Sequence, residues 1–196
     1  MSSTRLTTGG SILQILLFVA GWLSFEYIFV GTLAAAFIPL FIGGFVLWWF
    51  TTRVPIHPPA IIVPYLLTVI AFIAHVYEEY KAFLLGCPDI MQGAPFSITF
   101  ERLLTFAATL GPIAWLLGAV LMLRRLPVGY FVASTFLFGM MFIEPTHFIA
   151  PFLQTGTWHY VGGMWTAPLP IGLSWYTFGA IRRELRALEE SRVAPE

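Results

Sequence analysis

Residues 58–82 read PPAIIVPYLLTVIAFIAHVYEEYKA. From Pro58 to Ala74 the run holds no charged residue. About 20 such apolar residues cross the hydrocarbon core of a bilayer, so the segment reads as a membrane helix. Its last turns then carry His75, Glu78 and Glu79. Positions i, i+3 and i+4 share one face of a helix, so the imidazole and both carboxylates can converge. Each ionisable group at membrane depth costs about 2.5–3.5 kcal/mol. A membrane helix that keeps three of them needs a reason.

The rest of the chain has the same character. Of its 196 residues 58% are hydrophobic and 10% charged, where a soluble domain carries about 25% charged residues. Mean hydropathy is +0.83. Six apolar segments are expected, at roughly 11–29, 32–51, 58–82, 102–123, 128–152 and 158–181. The first two meet at Gly31-Thr32 and must form a tight hairpin. The fold class is therefore all-α, a polytopic helix bundle of about six transmembrane helices over 1–181. A charged tail, 182–196, reads as a short helix in water. The N-terminus does not read as a cleaved signal. Arg5 is its only basic residue, and the apolar run reaches about Phe50, far beyond the roughly 7–15 residues of a signal core. The connection 84–100 holds Gly86-Cys87-Pro88-Asp89 and Gly93-Ala94-Pro95, turn residues that suggest a folded cap or a re-entrant loop. Cys87 is the single cysteine, which excludes an intrachain disulfide and argues against a thiolate metal cluster.

Ten basic and ten acidic residues cancel, so net charge points to no nucleic acid or other polyionic partner. Their placement is more telling. Six spans put Arg5, Arg53, Arg124, Arg125, Arg182, Arg183, Arg186 and Arg192 on one side, and only Lys81 and Arg102 on the other. The positive-inside rule then makes both termini cytoplasmic, in a multi-pass protein of the plasma membrane with lipids as its first partners. Trp48 and Trp49, near Arg53, and Trp158 on the opposite side fit interfacial anchors as well as ordinary packed aromatics.

Topology turns spacing into depth. The third and fifth segments both run outward, so His75, Glu78 and Glu79 share a level with Glu144-Pro-Thr-His147. Glu26 and His159 fall near the same level. One reading is a metal centre: two histidines and several carboxylates form a mixed N/O ligand set suited to iron, manganese or zinc. Carboxylate-bridged di-metal bundles use Glu-x-x-His, which Glu144 and His147 match and His75-x-x-Glu78 reverses. A second reading is metal-free acid/base chemistry, in which repulsion between neighbouring Glu78 and Glu79 keeps one protonated. The bland reading is interhelical hydrogen bonding, and it is preferred for Glu26 and for His159. Pro145 frees a backbone carbonyl and can bend the fifth helix toward the site. Prolines 39, 64, 112, 168 and 170 also fall inside the expected spans.

His75-Val-Tyr-Glu78-Glu79-Tyr80 resembles the signature of the HXXEE-motif integral membrane proteins. His147 followed by Tyr160-Val-Gly-Gly163 and Thr166-Ala167-Pro-Leu-Pro170 is similar to that family's second block, with Gly162 in place of a Pro and Glu144 in place of an Asn. The resemblance covers roughly 60–180 and implies topology and candidate residues but no reaction. A more distant likeness is to the emopamil-binding, sterol-isomerase type, which sets His and Glu in membrane helices around a lipophilic substrate, with different spacing.

These observations lead to an expectation of an enzyme acting on a lipophilic small molecule (a lipid, sterol or isoprenoid) by metal-assisted or acid/base chemistry. His75, Glu78, Glu79, Glu144 and His147 are the candidate catalytic residues and candidate metal ligands. The alternative is a non-enzymatic binding or accessory protein whose polar cluster is structural. No nucleotide loop, nucleophile elbow or haem motif is present to name a cofactor.

Overall fold

The computed structural model describes residues 8–53, 56–87 and 100–193. Among them the chain is helical, with no strand. The helices are α1 (Thr8–Val30), α2 (Ile38–Phe50), α3 (Pro58–Leu84), α4 (Phe100–Leu123), α5 (Pro127–Phe138), α6 (Thr146–Thr155) and α7 (Pro168–Val193). A 3-10 segment, Gly31–Phe37, leads into α2, and a π turn, Gly139–Ile143, follows α5.

Three helices, α1, α3 and α4, are long and apolar enough to cross a membrane. A fourth span is available if α5 with its π turn and α6 count as one, bent by 42°. The other two expected segments are helical but shorter. The 32–51 segment divides into the 3-10 stretch and the 13 residues of α2. The 158–181 segment becomes helical only at Pro168, and its helix then runs without a break into the charged tail. Proline accounts for several of these boundaries. Pro39 and Pro168 lie at helix starts, where a missing N–H costs nothing, and Pro145 stands at the head of α6. Pro64 and Pro112 do sit inside helices. Most of the connection expected to form a cap or re-entrant loop, residues 88–99, lies outside the described residues.

α5 is the centre of the bundle: every residue from Gly129 to Leu137 is buried. It packs between α2 and α4, while α3 packs on α4 and α7. Small residues set the close approaches, as is usual between membrane helices. Thr135 and Phe138 of α5 occupy the space that side chains at Gly44 and Gly43 of α2 would need. Polarity is inverted relative to a soluble protein. Val63, Leu67, Ile70, Ile73 and Tyr77 form an exposed stripe along α3. Thr68, on the inward face, bonds Thr177 of α7 at 3.2 Å. Tyr65 donates to the Trp115 carbonyl at 2.9 Å. Apolar outside and hydrogen-bonded inside is the arrangement lipid requires.

Candidate metal centre

Three pieces of chain build the site. The first is the C-terminal third of α3, which carries His75, Glu78 and Glu79. The second is the break between α5 and α6. There Glu144 N–H donates five residues back, to the Gly139 carbonyl at 3.1 Å, a π-type bond that widens the helix. Pro145 has no N–H to continue the ladder, and a tight turn closes when His147 N–H donates to the Glu144 carbonyl at 3.1 Å. Glu144 and His147 are thereby delivered to one side. The third piece is the non-helical stretch 156–167, which brings Gly162 and Gly163 against α3.

His75 and His147 meet edge to face, with ring centroids 4.7 Å apart and planes at 89°. His75 Nδ1 lies 3.1 Å from the Gly163 carbonyl, and His147 Nδ1 lies 3.0 Å from the Gly162 carbonyl. A carbonyl can only accept, so both Nδ1 atoms carry a proton, and each Nε2 either carries a second proton or offers its lone pair to a metal. Those two Nε2 atoms face Glu144 Oε2 at 2.8 and 3.3 Å. Glu79 completes the group, with Oε1 3.5 Å from His147 Nε2 and Oε2 3.9 Å from His75 Nε2. The rings are almost fully buried, at 1% and 3% side-chain exposure, and each carboxylate keeps 11%; the remaining access is on the carboxylate side.

Glu144 Oε2 is buried and lies at ion-pair distance from both imidazole Nε2 atoms. Such contacts require a positive charge between the atoms, either a proton on Nε2 or a metal ion that replaces it. Ligand atoms of His75, His147 and Glu144 lie within 4.8 Å of one another. Tetrahedral ligands with bonds of about 2.0–2.1 Å lie roughly 3.3 Å apart, which the His147–Glu144 separation of 3.3 Å matches, while the His75–Glu144 separation of 2.8 Å is that of a direct charge-assisted hydrogen bond. Backbone carbonyls that hold the far nitrogen of each imidazole are the usual support of metal-ligating histidine. The donor set therefore fits a divalent cation.

Glu78 is not in this group. It accepts from the Tyr160 hydroxyl at 2.7 Å, Trp165 N–H at 3.2 Å, Thr166 N–H at 2.8 Å and the Thr166 hydroxyl at 2.6 Å. Its two oxygens are saturated, and their work is to pin the 156–167 stretch onto α3. The Thr166 hydroxyl also lies 3.3 Å from His75 Nδ1, so Glu78 helps orient that ring through Thr166. Sequence reasoning treated Glu78 and Glu79 as equivalent; their side chains diverge because the stretch from Tyr160 to Thr166 occupies one flank of the helix. Burial first, and then the Glu78 carboxylate, hold the Tyr160 phenol above its ordinary range, so it remains a donor.

Two further candidates lie apart. Glu26, buried on α1, accepts from Trp22 Nε1 at 2.6 Å and does not belong to the His/Glu group. His159 bonds Thr155 Oγ1 and the Thr157 carbonyl, both at 3.3 Å, within its own turn. Gly162 and Gly163, noted in the sequence only for the family resemblance, are the residues whose part in the site the sequence did not reveal. Gly163 has φ +86°, and a Cβ there would lie 2.5 Å from His75 Cε1, 2.8 Å from Glu79 Cγ and 3.0 Å from His147 Cε1. The adjacent glycine pair after a membrane-level histidine was the available signal.

No family model, curated protein or solved structure matches the chain. The resemblance to HXXEE proteins thus rests on the residues quoted for it.

Proposed function

We propose that the protein is a multi-pass membrane enzyme with a buried divalent-metal centre, acting on a lipophilic substrate. His75, His147 and Glu144 are the ligands, and Glu79 is the second carboxylate beside them. The observation that carries this reading is the convergence of Glu144 Oε2 with two imidazole Nε2 atoms, each ring held at its Nδ1 by a backbone carbonyl. A mixed N/O set of this kind suits zinc, iron or manganese. A bound ion supplies Lewis acidity and an activated water at neutral pH. The protein's own residues hold the ligands in a fixed tautomer, exclude bulk water from the rings and leave the carboxylate edge open. Helices α2 and α7 complete the proposed six spans, with the arginine-rich end and both termini cytoplasmic in the plasma membrane. Membership of the HXXEE-type proteins is part of the same proposal.

Metal analysis of the detergent-purified chain tests it. About one divalent ion per chain is expected, lost in Glu144→Gln and in His147→Ala. A folded wild type that takes up no zinc, iron or manganese when each is supplied would overturn the metal reading. A cellular lipid profile that does not change in the metal-free variants, at normal abundance, would overturn the enzymatic one.

A further inference from the structure

The opposite end of the bundle holds a second feature. α2 stops at Phe50, and the apolar part of α7 stops at Ile181. Between the end of α2 and this part of α7 lies a groove of about 350 Å³. α7 lines it with Phe178, Arg182, Leu185, Arg186 and Glu189, spaced as one helix face, and Phe50 closes the other wall. The groove is thus apolar toward the bundle and cationic toward the end.

The two arginines differ from their neighbours. The Arg53 guanidinium lies over the Trp49 ring at 4.5 Å, and that of Arg183 over Tyr176 at 5.8 Å. Arg182 and Arg186 have neither a carboxylate nor a ring as partner among the described residues. Guanidinium forks match phosphate geometry. Two arginines and Glu189 leave a net charge of +1. On the six-span topology proposed above, on which this inference rests, the apolar walls Phe50, Phe178 and Leu185 lie where α7 leaves the membrane interior, beside the layer in which phospholipid phosphates sit.

We propose that this groove binds the headgroup of an anionic phospholipid, its phosphate on Arg182 and Arg186 and the start of an acyl chain along Phe50 and Phe178. The single negative charge of such a headgroup balances the groove. A zwitterionic headgroup does not. A free phosphate would satisfy the arginines but leave the apolar walls uncovered. The site is independent of the metal centre.

Native mass spectrometry of the delipidated full chain in detergent tests the proposal, with phosphatidylglycerol, phosphatidylcholine and inorganic phosphate as probes. Phosphatidylglycerol should bind one to one, at least about tenfold tighter than phosphatidylcholine. Removing both charges by Arg182→Gln with Arg186→Gln should weaken it roughly thirty-fold, the effect of two basic residues at an anionic surface. Arg124→Gln with Arg125→Gln removes as much charge from the same end and should change binding less than about twofold if the site is local. Unchanged thermal unfolding in both double variants establishes that they fold. Equal binding of the two lipids, equal loss in both double variants, or displacement of phosphatidylglycerol by millimolar phosphate would each overturn the assignment.

Discussion

Replacing Gly163 by Ala tests the geometry of the centre most directly. Two costs add at this position. At φ +86° an L side chain is strained by about 1–2 kcal/mol. The new methyl also meets His75, Glu79 and His147 at 2.5–3.0 Å, and two of these are ring atoms of buried histidines that cannot swing aside. Overpacking of this kind costs about 1–3 kcal/mol. The sum is roughly 2–5 kcal/mol. The chain can relieve it only by withdrawing the 156–167 stretch, and that removes the Gly162 and Gly163 carbonyls from both imidazoles. Loss of such outer partners lowers metal affinity about 10–100-fold. Gly156→Ala is the matched control, with φ +71° and nothing within 4 Å of a new Cβ, so it carries the strain alone. Detergent unfolding curves and chelator competition on the two variants should differ by the crowding cost and by the metal effect. Equal destabilisation, with metal affinity the same in both, would refute the claim that Gly163 is the floor of the centre.

Two other expectations follow from the same contacts. Glu78→Gln removes the charge that four donors share, and hydrogen bonds to charged groups contribute about 1.5–3 kcal/mol each; the variant should unfold earlier and expose 156–167 to protease while still binding one metal ion, and a complete loss of metal would return Glu78 to the ligand set. Cys87, half-buried at the end of α3, is the only thiol, so its labelling by an impermeant maleimide on intact cells should place the metal-centre end outside, and a reporter after Glu196 that reads as external would reverse the orientation.

Much of the fold was legible because hydropathy reports burial in lipid directly. α1, α3 and α4 follow from continuous apolar runs and from their length. The sequence was less clear where helices break. The π turn before Glu144 leaves no compositional mark, since Gly139-Met-Met-Phe-Ile143 is an unremarkable apolar run. Likewise 156–167 is rich in aromatic and small residues, so it continued the hydropathy of α7 although its backbone serves as hydrogen-bond acceptor for the histidines. Convergence of α3 with Glu144 and His147 could be argued from spacing and depth. The separate fates of Glu78 and Glu79 could not, because helix periodicity puts both on the His75 face and only the position of a distant loop divides them.

Charge balance assigns Glu79 its part. In the proposed metal-bound state both imidazoles are neutral ligands, and Glu144 and Glu79 bring two negative charges into a site whose side chains are about nine-tenths buried. A divalent cation makes the centre neutral, the state that a low-dielectric interior tolerates best. Glu79→Gln keeps the shape and one oxygen but leaves an uncompensated positive charge. Two unit charges at 4 Å interact by about 4 kcal/mol at an effective dielectric of 20. That is on the order of a thousandfold in affinity, since each tenfold is about 1.4 kcal/mol. The metal-free protein should respond with the opposite sign, because the cost of burying the Glu79 carboxylate away from water is removed with its charge. Glu79→Gln is therefore expected to raise the unfolding temperature of chelator-stripped protein and to lower it in excess metal relative to wild type. Metal affinity equal to wild type, measured by chelator competition, would remove Glu79 from the charge balance and leave a three-ligand centre of His75, His147 and Glu144.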